Sequence, residues 1–197
     1  MPESSTDRMP ARGVLTLFAP VSGVVVPLDE VPDPVFSQRL AGDGVAIDPL
    51  DEQVVAPCEA CVLQVHRAGH AVTLDAAGLE IVIHVGLDTV NLRGEGFQPL
   101  VQAGDRVAAG DPLLRFEADA VARRARSLLT EVVIANMDRV AALRPRAGRV
   151  TAGRDVLLEV EPVAAPAAAA EPAGGDRVTT PPVVVAARTG LHARPAA

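Results

Sequence analysis

Between residues 14 and 160 short apolar runs alternate with Gly, Pro and Asp. "GVLTLFAPVSGVVVPL", "VVAPCEACVLQVHRAG", "HAVTL", "LEIVIHVG" and "DVLLEVEP" are rich in Val, Ile and Leu. Branched side chains suit a pleated, half-buried surface, and Gly, Pro and Asp end such segments. Many short strands at this spacing predict a mostly β fold, a sandwich or a barrel. Only two stretches carry a helical pattern. "DPVFSQRLAG" predicts a turn or two after Pro34 with Gly42 as its C-cap. "ADAVARRARSLL" places Val121, Ala125 and Leu128 on one face, with its arginines toward solvent. A faint echo links "APVSGVVVPL" at 19–28 with "APCEACVLQV" at 56–65, and "GD" turns recur at Gly104-Asp105 and Gly110-Asp111. Repeated hairpins of this kind suit a fold built from two similar halves.

Composition then divides the chain of 197 residues. Residues 1–13, with early acids and no apolar stretch, read as a mobile tail rather than a secretory signal. Residues 14–162 form the β domain. Residues 163–178, "VAAPAAAAEPAGGDRV", have the Ala, Pro and Gly content of a linker. Residues 179–197 begin with another Val run and end on "RTGLHARPAA", which reads as an unstructured, truncated start of something else. Aromatics are 2 %, so the core must be aliphatic. All 18 basic residues are Arg, and the net charge is −7, which argues against nucleic acid as a partner. No run of about 18 apolar residues exists to span a membrane. Two cysteines, spaced as "CEAC" at Cys58 and Cys61, fit a reducing cytoplasm and are taken as part of a turn.

Two of the four histidines share a hairpin. "DAAG", Asp75 to Gly78, predicts a type I turn closed by a left-handed glycine, the three-residue loop with a bulge. That register sets Leu74 opposite Glu80, Val72 opposite Val82 and His70 opposite His84. Opposed residues on one face have Cβ atoms roughly 4.5–5.5 Å apart, so two imidazoles would lie side by side. A neutral imidazole nitrogen can carry a phosphoryl group, and a neighbouring ring can hydrogen-bond its oxygens. Asp88, in "IHVGLD", can orient His84 or receive a basic residue of a partner. The same pair can also serve as two ligands of a zinc ion completed by a partner, or as two satisfied structural histidines.

Taken together, "APVSGVVVPLDEVPDPVFSQRLAGDGVAIDP", "AGHAVTL", "IVIHVGLDTVNLRGEGF" and "VQAGDRVAAGD" resemble, in order, the glucose-type enzyme IIA of the bacterial phosphoenolpyruvate-dependent sugar phosphotransferase system. The resemblance runs from about Leu15 to Glu161. "RTGLHARPAA" resembles the active-site segment of HPr, the histidine-containing carrier of the same system, as in a multiphosphoryl transfer protein. The resemblance implies an antiparallel β-sandwich (a barrel-sandwich hybrid) with one or two short helices. It implies that His84 takes phosphate on Nε2 from phospho-HPr, that His70 stabilises it, and that the group passes to a IIB domain of a sugar permease of glucose or N-acetylglucosamine type, with enzyme I upstream. Asp33, Val35 and Phe36 would line the partner-facing rim, and Asp88 would meet a basic residue of HPr. His192 would be the HPr-type phosphoryl site, on Nδ1, with Arg194 as its phosphate contact. No metal or organic cofactor is implied. Family members often ring the histidine pair with aromatics, whereas Val72 and Val85 flank it here and His66 precedes it.

Three other readings fit less of the chain. A lysostaphin-like zinc peptidase needs a His-x-His pair, and position 82 is Val. A biotin or lipoyl carrier needs a lysine, and there is none. A regulatory binding module without phosphoryl transfer would use the same surface but not the nucleophile.

Overall fold

Aliphatic segments broken this often satisfy their buried backbone groups by pairing with one another. The computed structural model describes residues 13–163. Within them fourteen strands follow in chain order: β1 (Leu15–Phe18), β2 (Gly23–Pro27), β3 (Asp43–Pro49), β4 (Gln53–Val55), β5 (Ala60–Val65), β6 (Ala71–Ala76), β7 (Leu79–Leu87), β8 (Phe97–Pro99), β9 (Arg106–Val107), β10 (Pro112–Phe116), β11 (Ser127–Ile134), β12 (Val140–Pro145), β13 (Gly148–Val150) and β14 (Val156–Pro162). One sheet has eight strands in the order β13-β2-β3-β11-β7-β6-β5-β9; two of three strands run β1-β14-β12 and β4-β10-β8. Their pairings are antiparallel. The mostly antiparallel β class expected from the sequence is therefore the observed one. The expected tail up to residue 12, the linker from residue 164 onward, and the segment with His192 and Arg194 lie outside the described residues.

Strand β7 shows how the sheet divides its two faces. Ile81, Ile83 and Val85 are fully buried and Leu79 is nearly so, all in the main aliphatic core. Val82 and His84 alternate onto the opposite face, where a smaller cluster of Leu28, Val31, Phe36, Ala46, Leu87 and Val133 lies. That cover comes from the chain after β2, ending in the short helix α1 (Pro34–Ser37). Proline in the first turn has the φ a helix needs and lacks an N–H that would be unpaired there. Asp33 caps the same end, its Oδ1 accepting the Val35 N–H at 2.8 Å.

The internal echo has a hydrogen-bonding basis. Ala19 N–H donates to the Asp155 carbonyl at 2.9 Å, and Ala19 O accepts from Gly153 N at 2.9 Å. Ala56 makes the matching exchange with Asp111 and Gly110, at 2.8 and 2.9 Å. In each of three such turns an aspartate side chain takes a backbone N–H: Asp105 from Gln102, Asp111 from Ala108 and Asp155 from Thr151, at 2.8–2.9 Å.

Three local expectations are corrected. The hairpin between β6 and β7 has a two-residue loop, not three: Ala76 pairs with Leu79, and Ala77 and Gly78 take φ of +53° and +83°. Two positive φ values fit a type I′ turn, whose twist matches the strands. The Asp75 carboxylate still accepts Gly78 N–H at 2.8 Å, but it braces a register shifted by one residue. Alanine is strained there, since a left-handed L-residue costs about 1–2 kcal/mol. Ala77→Asn, giving Asn-Gly, is expected to gain about 0.5–1 kcal/mol, read as a higher urea midpoint with unchanged slope. Second, Gly42 does not cap α1: the helix stops at Ser37, and Arg39, at φ +56°, makes the left-handed turn. Third, the helix expected through Leu128 ends early. Helix α2 spans Ala118–Ala122, and Ser127 already begins β11, because β11 is claimed on both sides by β3 and β7. Long-range pairing overrides a helical spacing of three side chains. Arg123, Arg124 and Arg126 are exposed.

Candidate functional site

His84 stands on the less buried face of β7. Directly across from it, on β11, is Glu131. His84 Nδ1 lies 3.1 Å from Glu131 Oε2, and the two side chains are 21 % and 0 % exposed. The histidine thus reaches solvent while the carboxylate beneath it does not. Burial pushes the Glu131 carboxyl up to about 7; the hydrogen bond and charge of His84 pull it down, and Asp33 pushes it further up. Its Oε1 has no hydrogen-bond partner among the described residues.

His70 reaches His84 by a route the hairpin register did not supply. In the observed ladder Ala71, not His70, faces His84. Strict alternation would then turn His70 to the far face. But β6 begins only at Ala71, and Gly69, at φ +70°, turns the chain just ahead of it. His70 lies outside the strand, its carbonyl accepting Val85 N–H at 2.8 Å. The two imidazoles meet edge to face, with ring centroids 4.8 Å apart. His70 is 3 % exposed. Burial, then the neighbouring His84 and His66, pull its pKa down to about 4, so the ring is neutral near pH 7. Its Nδ1 is buried without a hydrogen-bond partner among the described residues. His66 extends the row, its ring 4.4 Å from that of His70 and its Nδ1 accepting Ala68 N–H at 3.2 Å.

Aromatic rings do surround the pair, although the adjacent sequence has none. Phe36 of α1 lies 5.4 Å from His84, and Phe97 of β8 lies 6.1 Å from His70, centroid to centroid. Of the other rim candidates, Val35 is exposed and Asp33 is occupied in capping α1. Asp88 follows the end of β7 in a left-handed conformation at φ +61° and is exposed. Its side chain makes no hydrogen bond to His84 among the described residues; the carboxylate that does so is Glu131. Glu131 was not singled out in the sequence, though an acid alone in the apolar run "SLLTEVVIA" is a signal: a carboxylate in a strand buried on both faces needs a partner.

Behind His84 the strand is locked by Thr89, whose hydroxyl donates to Val85 O at 2.9 Å. Gly86 permits the bend between them: at φ +73°, a Cβ there would sit 2.7 Å from Thr89 Cγ2. Among the described residues no three His, Cys, Asp or Glu side chains are grouped to hold a metal ion. The thiols lie apart from this chemistry. Cys58 is buried, and that burial, with Glu59 nearby, raises its pKa to about 11, so it is a poor nucleophile. Cys61 lies in β5.

The model of the family "phosphoenolpyruvate-dependent sugar phosphotransferase system, EIIA 1" matches residues 15–140. The PTS system glucose-specific EIIA component of Oceanobacillus iheyensis is 42 % identical over 148 residues, covering 74 % of this chain and 90 % of that protein. That of Haemophilus influenzae is 37 % identical over 146 residues, covering 74 % and 88 %. The solved structure of glucose permease IIA from Mycoplasma capricolum superimposes with a TM-score of 0.71 at 34 % identity, covering 74 % of this chain and 95 % of that one.

Proposed function

Because the chain belongs to the EIIA 1 family of the phosphoenolpyruvate-dependent sugar phosphotransferase system, we propose that its phosphoryl group rides on Nε2 of His84. The chain is a phosphoryl carrier of that system, a phosphotransferase component. The choice of atom rests on one observation: Nδ1 of the half-buried His84 is engaged by Glu131 at 3.1 Å, which leaves Nε2 as the available nitrogen. His70, neutral near pH 7, would give an N–H to the phosphoryl oxygens without adding a charge. The apolar rim of Phe36 and Val35, with Asp33 and Asp88 beside it, is the proposed docking surface for HPr and for a IIB domain. With relatives named glucose-specific, a glucose-type permease is the proposed recipient. A cytoplasmic setting belongs to the same proposal and suits two free cysteines. No helix among the described residues is long and apolar enough to cross a membrane.

The segment "RTGLHARPAA" supports a further part of this reading: an HPr-type site at His192 with Arg194 as its phosphate contact, in the same chain. The test supplies radiolabelled phosphoenolpyruvate, enzyme I and a separate HPr to the protein, and maps the label by peptide and by 31P NMR. An acid-labile phosphate on Nε2 of His84 is expected; label on another residue or on Nδ1 would refute the assignment. A His70→Gln variant should still accept phosphate but pass it to a IIB domain about a hundredfold more slowly, the loss typical of one donor to developing charge.

A further inference from the structure

The family's chemistry needs a nucleophilic histidine; it does not by itself account for a carboxylate with no exposure beneath that histidine. Burying an ionisable acid is costly unless a partner repays it, and an apolar residue of similar size is often as stable or better. Glu131 has one side-chain partner among the described residues, His84 Nδ1, and an Oε1 with none. Its position on β11 is fixed on both sides, by Ala46 of β3 and by His84 of β7. Its Cα is thereby held beneath the site, and its side chain is fully buried there. An acid buried this way, at a cost in stability, points to a role in the site.

We propose that Glu131 is a positioning residue for phosphoryl transfer: its buried carboxylate accepts the Nδ1–H of His84, fixing the tautomer whose lone pair is on Nε2 and compensating the charge the ring gains when that nitrogen is phosphorylated. The proposal rests on the carrier reading of His84. An unrestrained neutral imidazole in water holds its proton mostly on Nε2, the wrong nitrogen for this attack. With Glu131 beneath Nδ1, the proton is kept on the inner side. The step then balances without any proton leaving His84. The Nε2 lone pair forms the new N–P bond, the P–N bond of the donor phosphohistidine breaks, and its electron pair returns to the donor's ring nitrogen. The product ring bears both the Nδ1–H and the Nε2–P bond and is cationic, so the carboxylate facing Nδ1 interacts with it more strongly than with the neutral ring. An interaction that grows along the reaction favours the transition state as well as the product. Burial keeps the carboxylate dry, so the contact is little screened. The rise of its pKa toward 7 is the measure of that burial.

The experiment reads tautomer and transfer separately. Two-bond 1H–15N spectra of the 15N-labelled, unphosphorylated protein at about pH 8 should show His84 as the Nδ1–H form. In Glu131→Val the spectrum should move to the Nε2–H form, and acceptance from phospho-HPr should slow about tenfold or more. Glu131→Gln, whose amide oxygen can still accept the Nδ1–H but carries no charge, should restore the tautomer and only part of the rate. An Nε2–H form in the unsubstituted protein overturns the proposal at once, even if the valine variant does not fold. So does a valine variant that changes tautomer but accepts phosphate at the original rate. Label on a residue other than His84 would instead overturn the carrier reading and leave the tautomer result standing.

Discussion

A His84→Gln variant is expected to take up no phosphate from phospho-HPr, a loss of more than about a thousandfold, as is usual when a covalent nucleophile is removed. The amide nitrogen of glutamine has its lone pair delocalised into the carbonyl and cannot attack phosphorus. The substitution is otherwise mild. His84 is partly exposed, and glutamine can still donate an N–H to Glu131, so the buried carboxylate is not left without a donor. Circular dichroism and the urea midpoint should therefore stay close to those of the parent. That separates loss of chemistry from loss of fold, and label retained on the variant under these conditions would show that another residue is the acceptor.

The second large effect is on stability, and its sign follows from protons. Glu131 holds its proton up to about pH 7 in the fold, against 4.5 for the ordinary group. Between those values the folded state binds more protons than the unfolded one, so stability falls as pH rises through that interval. The cost is absent below about pH 4.5 and complete above about pH 7. Its size is up to about 3 kcal/mol. His70 acts oppositely, with a pKa near 4 in the fold against 6.5 for the ordinary group. Over that range the unfolded state binds more protons, and stability rises with pH. The two slopes oppose each other over most of the acid range. Glu131→Gln removes one of them while keeping an acceptor for Nδ1. The variant should match the parent near pH 4.5 and exceed it by about 3 kcal/mol at pH 7.5. Urea titrations followed by circular dichroism at both values decide this; a gap independent of pH would mean that Glu131 is not a buried acid in solution. A more stable variant beside a slower transfer step would be the usual exchange of stability for function.

The β class and the hairpin were legible in the sequence because each rests on local signals: period-two apolar runs, turn residues, and motifs with a fixed order. The register was not. "DAAG" suits two loops that differ by one residue, and those four residues alone do not decide between them; the observed one sets Ala76 opposite Leu79. The proximity of the two histidines survived that shift because His70 lies past the end of β6, where alternation no longer dictates direction. Helix α2 ended early for a related reason, since β11 is completed only by neighbours on both sides. Phe36, Phe97 and Glu131 reach the histidines from separate elements, 48, 13 and 47 residues from His84. No spacing rule connects them. Phe36 comes to the rim through the family resemblance, and Glu131 was detectable as a charge without a local partner inside an apolar strand; Phe97 carried neither signal.

Strands β1 and β14 run side by side, with Leu15 opposite Val160 and Thr16 opposite Glu159. The folded unit is thus entered and left through a single doorway, in a sheet other than the one that carries His84. Such a unit behaves as a cassette. It can be set into a loop of another protein, or have its ends joined and new ones opened elsewhere, without stretching the sheet that holds the nucleophile. A tether swings from the same root whether it is attached before β1 or after β14. The order in which carriers are strung along a fused chain is then not dictated by the shape of this one.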